Sequence, residues 1–107
     1  LKAILVVVPD LMFEMRVADV ARAMGYAVEM STERVAEASL IVVGLEDNRD
    51  WQSLVKEAGS HHVPVLAFGR HTSVGLLRQA REAGCARVVV NSEIAEQLPK
   101  LLGEMLA

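Results

Sequence analysis

Leu40-Ile41-Val42-Val43-Gly44-Leu45, LIVVGL, is an unbroken apolar run closed by the polar stretch Glu46–Asp50. It is too short for a typical helix and has no polar residue at alternate positions, so it reads as a strand buried on both faces, as in parallel sheets covered by helices. The same signature occurs upstream in AILVVV, Ala3–Val8, and downstream in VPVLAF, Val63–Phe68, and ARVVV, Ala86–Val90. Tyr26–Met30 supplies a shorter strand, second in chain order. Pro64 stands near the start of the fourth run, where a missing N–H disturbs a sheet least.

Helical stripes fill the intervals. Asp10 is placed to cap a first helix with Phe13, Val17, Val20, Ala21 and Met24 on one face and Gly25 at its end. Ser31 and Thr32 introduce Glu33–Ala38, long enough for about two turns. Trp51, Leu54, Val55 and Ala58 mark a third helix ended by Gly59, and Leu76, Leu77, Ala80 and Ala83 a fourth stopped by Gly84. Ile94, Leu98, Leu101, Leu102 and Met105 mark the last, with Pro99 expected in its first turn or at a kink, because proline removes a helical hydrogen bond elsewhere. Five strands alternating with five helices predict one α/β domain over residues 1–107. Right-handed crossovers make it a three-layer α/β/α doubly wound fold, with a five-stranded parallel sheet in the flavodoxin-like order 2-1-3-4-5. Ligands or reacting groups then belong at the carboxyl ends of the first and third strands.

Composition narrows the function. A net charge of −3 argues against a phosphate-backbone footprint, so no nucleic-acid partner is expected. Cys85 is the sole cysteine, which rules out an internal disulfide; nothing beside it in sequence would lower its pKa, and it reads as structural. Apolar runs fall short of the roughly 20 residues a membrane helix needs, the opening residues lack a signal-peptide pattern, and a soluble, cytoplasmic setting without a membrane partner is expected. No Rossmann, P-loop or nucleophile-elbow motif occurs. Trp51 is expected in the core, and His61 and His62 precede the fourth strand, away from the switch point. Met12 and Met15 fall off the apolar stripe, either exposed for adaptable protein contacts or lining the core edge.

The order of elements, SLIVVGL (Ser39–Leu45), VPVLAFGR (Val63–Arg70) and AREAGCARVVVN (Ala80–Asn91) make the chain similar to response-regulator receiver domains. The resemblance implies a carboxylate pair after the first strand to hold magnesium, a nucleophilic aspartate ending the third, a Ser or Thr after the fourth and a lysine after the fifth. This chain departs at each point: Pro9-Asp10 keeps at most one carboxylate, and Gly44, Gly69 and Asn91 fall at the other three positions. The expected function is therefore a pseudo-receiver, a phosphorylation-independent interaction or regulatory module in signalling that is not an enzyme and needs no cofactor. By the same resemblance its partner is another protein, or a second copy forming a homodimer through the face of the fourth helix, fifth strand and fifth helix. Arg78, Gln79, Arg81, Glu82, Arg87 and Glu96 stand on that face. The alternative is a small-ligand or anion-binding domain using the loops after strands one, three and four. Arg70, His71, Thr72 and Ser73 could then grip an anion, and Asp10, Glu46 and Asp47 form a weaker metal candidate. A receiver that uses Asp10 or Asp47 as phosphoryl acceptor is disfavoured, because an acceptor must lie beside the metal and in line with the incoming group.

Overall fold

Successive side chains of a strand enter opposite layers. Along the first strand Ile4, Val6 and Val8 join one core, while Leu5 joins the other with Val7 packed beside it. The computed structural model describes residues 2–107. Its strands are β1 (Ala3–Val7), β2 (Ala27–Glu29), β3 (Leu40–Gly44), β4 (Val65–Gly69) and β5 (Arg87–Val90). They form one parallel sheet in the order β2-β1-β3-β4-β5. The pairings Val7↔Val43, Gly44↔Phe68 and Gly69↔Val90 bring the carboxyl ends of β1, β3, β4 and β5 to one edge of the sheet.

Helices α1 (Leu11–Ala23) and α4 (Asn91–Leu106) cover one face, burying Val17, Ala21, Ile94, Leu98 and Leu102 against Ile4, Val6, Leu40, Val42 and Leu66. Helices α2 (Trp51–Ser60) and α3 (Val74–Glu82) cover the other, with Trp51, Leu54, Val55, Leu77 and Ala80 on Leu5, Ile41, Val43, Val65 and Ala67. Each large apolar side chain so buried stabilises the fold by about 1.5–3 kcal/mol. Gly25 (φ 89°) and Gly84 (φ 98°) take the left-handed conformation that ends α1 and α3, as their positions after the apolar stripes predict.

Three expectations need correction. The segment between β2 and β3 forms only a 3₁₀ turn, Thr32–Glu37, broken at Arg34 (φ −124°, ψ 43°), so the fourth and fifth expected helices are α3 and α4. Val35 is its single buried residue, too small an apolar stripe to hold an α-helix on the sheet. Gly59 does not end α2; the helix runs to Ser60, and His62 (φ 57°) takes the left-handed position instead. Of the two places expected for Pro99, the first turn is excluded, because α4 begins at Asn91 directly after β5 and so carries Pro99 in its interior. Its missing N–H leaves the Ala95 carbonyl without an intrahelical donor. The Arg16 guanidinium of α1 donates to that oxygen, tying the two helices together. The strands differ from expectation at their ends: β1 stops at Val7 rather than Val8, β2 is Ala27–Glu29 rather than Tyr26–Met30, β3 stops at Gly44 rather than Leu45, β4 is Val65–Gly69 rather than Val63–Phe68, and β5 starts at Arg87 rather than Ala86.

Candidate functional site

A cleft of about 200 Å³ opens where β1, β3, β4 and β5 end, at the predicted switch point. Val8, Pro9, Phe13, Gly44 and Phe68 give it apolar walls, and Asp10, Glu46, Asp47, Arg70 and Asn91 supply the polar ones. The rings of Phe13 and Phe68 lie 5.3 Å apart at 50°, a tilted aromatic pair. Gly44 ends β3 beneath them. A Cβ at Gly44 would stand 3.1 Å from Val8 Cγ1, 3.3 Å from Phe68 Cζ and 3.5 Å from Pro9 Cδ, so Val8 and Phe68 would have to give way slightly to admit one.

Two of the cleft's carboxylates, Asp10 and Glu46, accept backbone N–H groups. Asp10 caps α1, its Oδ1 accepting the Phe13 N–H at 3.1 Å, as the sequence predicts. Asn48 Nδ2 donates to the Gly44 carbonyl at 2.9 Å and pins the β3–α2 loop, in which Asp47 adopts φ 56°, a costly conformation for a residue other than glycine. Asn91 opens α4, and its Oδ1 is buried without a donor among the described residues.

Glu46 has the most defined role. Its Oε1 accepts from the Ser73 hydroxyl at 2.7 Å and from the Arg70 backbone N–H at 3.0 Å. These bonds, the Ser73 hydroxyl first and the Arg70 amide second, hold its carboxyl below the ordinary range; the Arg70 charge adds to them, while desolvation works the other way. Two donors of the segment Arg70–Ser73, the Arg70 amide and the Ser73 hydroxyl, are thus taken by the protein's own carboxylate. His71 and Thr72 remain exposed beside it.

Sequence reasoning missed this contact. Nothing local links Glu46 to Ser73 across 27 residues. The available signal was topological: in the order 2-1-3-4-5, the loops leaving the third and fourth strands must be neighbours. Outside the cleft, Trp51 is buried in the core, Met12 (83% exposed) and Met15 (55%) lie at the surface, and burial pushes the Cys85 thiol up to about 11. No helix is long and apolar enough to cross a membrane among the described residues.

No family model and no curated protein matches this sequence. Solved structures do. The receiver domain of NtrX from Brucella abortus superposes with a TM-score of 0.79 over 96% of this chain and 97% of its own, at 19% identity. The chemotaxis protein CheY4 of Vibrio cholerae gives 0.79 over 99% of both chains at 20% identity. A response-regulator receiver domain protein from Clostridium thermocellum gives 0.81 over 99% of this chain and 94% of its own at 13% identity. This is the receiver fold. Against a longer NtrX chain from Brucella abortus the match covers 97% of this chain but 26% of that one, at 18% identity and a TM-score of 0.80, so this receiver-like domain spans about a quarter of that protein.

The receiver fold implies a magnesium ion held by carboxylates at this edge, and the residues of this receiver-like domain do not fit one. Asp10 is the single carboxylate following β1, Gly44 has no side chain and Glu46 is bound to Arg70 and Ser73. Among the described residues no group of three His, Cys, Asp or Glu side chains is placed to hold a metal ion.

Proposed function

We propose that this receiver-like domain works without phosphorylation, as a protein-contact module in a signalling assembly. The observation that carries the reading is Gly44. At the strand end where the receiver pattern calls for a nucleophilic carboxylate, the chain has no side chain, and Val8 and Phe68 crowd the place where a Cβ would stand. Phosphoryl transfer depends on a placed nucleophile and on metal ions that neutralise developing charge, and among the described residues no group of three His, Cys, Asp or Glu side chains is placed to hold such an ion. The similarity to a chemotaxis protein and to the NtrX receiver domain favours a signalling context. Function then resides on the surface, where α3, β5 and α4 present Arg78, Gln79, Arg81, Glu82, Arg87 and Glu96, all exposed and of mixed charge, suited to specific pairing with a protein partner. Because Glu46 already occupies the Arg70 amide and the Ser73 hydroxyl, an external anion would have to displace it.

The deciding experiment is an amide NMR titration with magnesium and beryllofluoride, a phosphoryl analogue. The expected result is flat shifts at Asp10, Gly44, Glu46 and Gly69. Saturable shifts at those residues would overturn the reading and assign Asp10 or Asp47 a working acidic site.

A further inference from the structure

The Glu46 carboxylate comes from a different loop than the donors that hold it. It reaches from the β3–α2 loop to the β4–α3 loop, where the Arg70 N–H and the Ser73 hydroxyl both donate to its Oε1. Ser73 stands at the N-cap of α3, yet its side chain makes no capping bond to that helix. A serine at an N-cap ordinarily accepts a hydrogen bond from its own helix. Here the hydroxyl donates instead to a carboxylate 27 residues away.

This occupant leaves part of the segment unused. The charge of Arg70 acts on Glu46, but the two side chains form no ion pair among the described residues. Arg70 is exposed and borders two cavities. One is the cleft of about 200 Å³, which Glu46 also lines; the other, about 290 Å³, has His71, Thr72 and Ser92 in its wall and is not lined by Glu46. A carboxylate free of the chain has no tether to restrict it. With one oxygen it accepts from the amide and the hydroxyl, and with the other from the guanidinium, which adds a charged donor to the two that Glu46 uses. The surroundings also favour an anion: between Ser60 and Arg87 the chain carries Arg70, Arg78, Arg81 and Arg87 against one acid, Glu82.

We propose that Glu46 is a displaceable occupant of a carboxylate site, and that a small ionised carboxylic acid takes the Arg70 amide, the Ser73 hydroxyl and the Arg70 guanidinium in its place. Its binding releases the β3–α2 loop from the β4–α3 loop. The ligand class follows from the occupant: these donors already hold a carboxylate, and the second cavity leaves room beside them for the rest of the molecule. The exchange involves no phosphoryl group and no metal ion, so the inference goes beyond the proposed function and is judged separately from the beryllofluoride titration.

An amide NMR titration with sodium acetate, against sodium chloride at matched ionic strength, tests it on the intact chain and on Glu46→Ala. In the variant, acetate should give saturable shifts at Arg70 and Ser73 and restore the urea midpoint lost with Glu46, while chloride does neither. In the wild type the same amides should respond with an apparent affinity at least about threefold weaker, because Glu46 competes for them. Adding Arg70→Gln to Glu46→Ala should weaken acetate binding again. Circular dichroism checks that the variants fold; if Glu46→Ala does not, the wild-type titration decides alone. The proposal is overturned by amides that respond to acetate no more than to chloride, by a folded Glu46→Ala that binds acetate no more tightly than the wild type, or by binding that Arg70→Gln leaves unchanged. Inorganic phosphate that binds Glu46→Ala more tightly than acetate overturns the assigned ligand class.

Discussion

The interior of the sheet and the cleft at its carboxyl end are made by the same strands, and they obey different constraints. In the interior every residue of β3 and β4 is buried, and the apolar run of each strand meets a helix stripe on both sides. In the cleft those strands end in Gly44 and Gly69, and the surrounding acids are turned to capping and loop bracing. The receiver fold thus stands with glycines at the ends of β3 and β4, because apolar burial holds the sheet while side-chain chemistry at strand ends adds little to it.

The largest effect of a substitution is expected in the interior. Leu66→Ala, at a position with no exposure in β4, is expected to cost about 2–5 kcal/mol in urea unfolding; a loss below about 1 kcal/mol would show that the core is not the source of stability. In the cleft, Gly44→Asp tests whether the site lacks only its nucleophile. The new Cβ must displace Val8 and Phe68, so a loss of about 1–3 kcal/mol is expected, with no phosphorylation by acetyl phosphate in mass spectrometry. An acetyl-phosphate adduct on that variant would mean the remaining machinery is intact.

Smaller effects sharpen the boundary between scaffold and site. Arg16→Ala should cost about 1 kcal/mol in the native background and less in a Pro99→Ala background, where Ala95 regains an intrahelical donor; equal costs would break the link between the proline and the arginine. Glu46→Gln should cost about 0.5–1 kcal/mol and speed hydrogen exchange in residues 70–77, leaving α1 unchanged. Its pH dependence has a fixed sign. The folded-state value lies below 4.5, so the stabilisation is complete above that pH and fades as pH falls through the lowered value. The variant should therefore lose less stability than the wild type on acidification, and matching acid profiles would remove Glu46 from its bracing role.

Local patterns were legible where one short-range rule sufficed. The β-branched runs gave β1, β3, β4 and β5, Asp10 gave the cap of α1, and Gly25 and Gly84 gave two helix ends. They misled where packing overrode local preference. Gly59 fits within α2 because the flanking residues Ala58 and Val63 anchor that turn in the core, and Pro99 fits within α4 because Arg16, from another helix, satisfies the carbonyl it leaves free. Of the site, the glycines at the ends of β3 and β4 were readable from strand position alone, whereas the pairing of Glu46 with Ser73 was not.

Hydrophobic periodicity is a property of neighbours in sequence, so the chain alone determined the five strands, the four α-helices and the parallel sheet, with Gly44 closing its third strand. Which polar groups meet depends on loops that are distant in sequence and adjacent only after the sheet assembles. The tertiary structure alone therefore decided that Glu46 binds the Arg70 amide and the Ser73 hydroxyl, and that Phe13 and Phe68 wall the cleft.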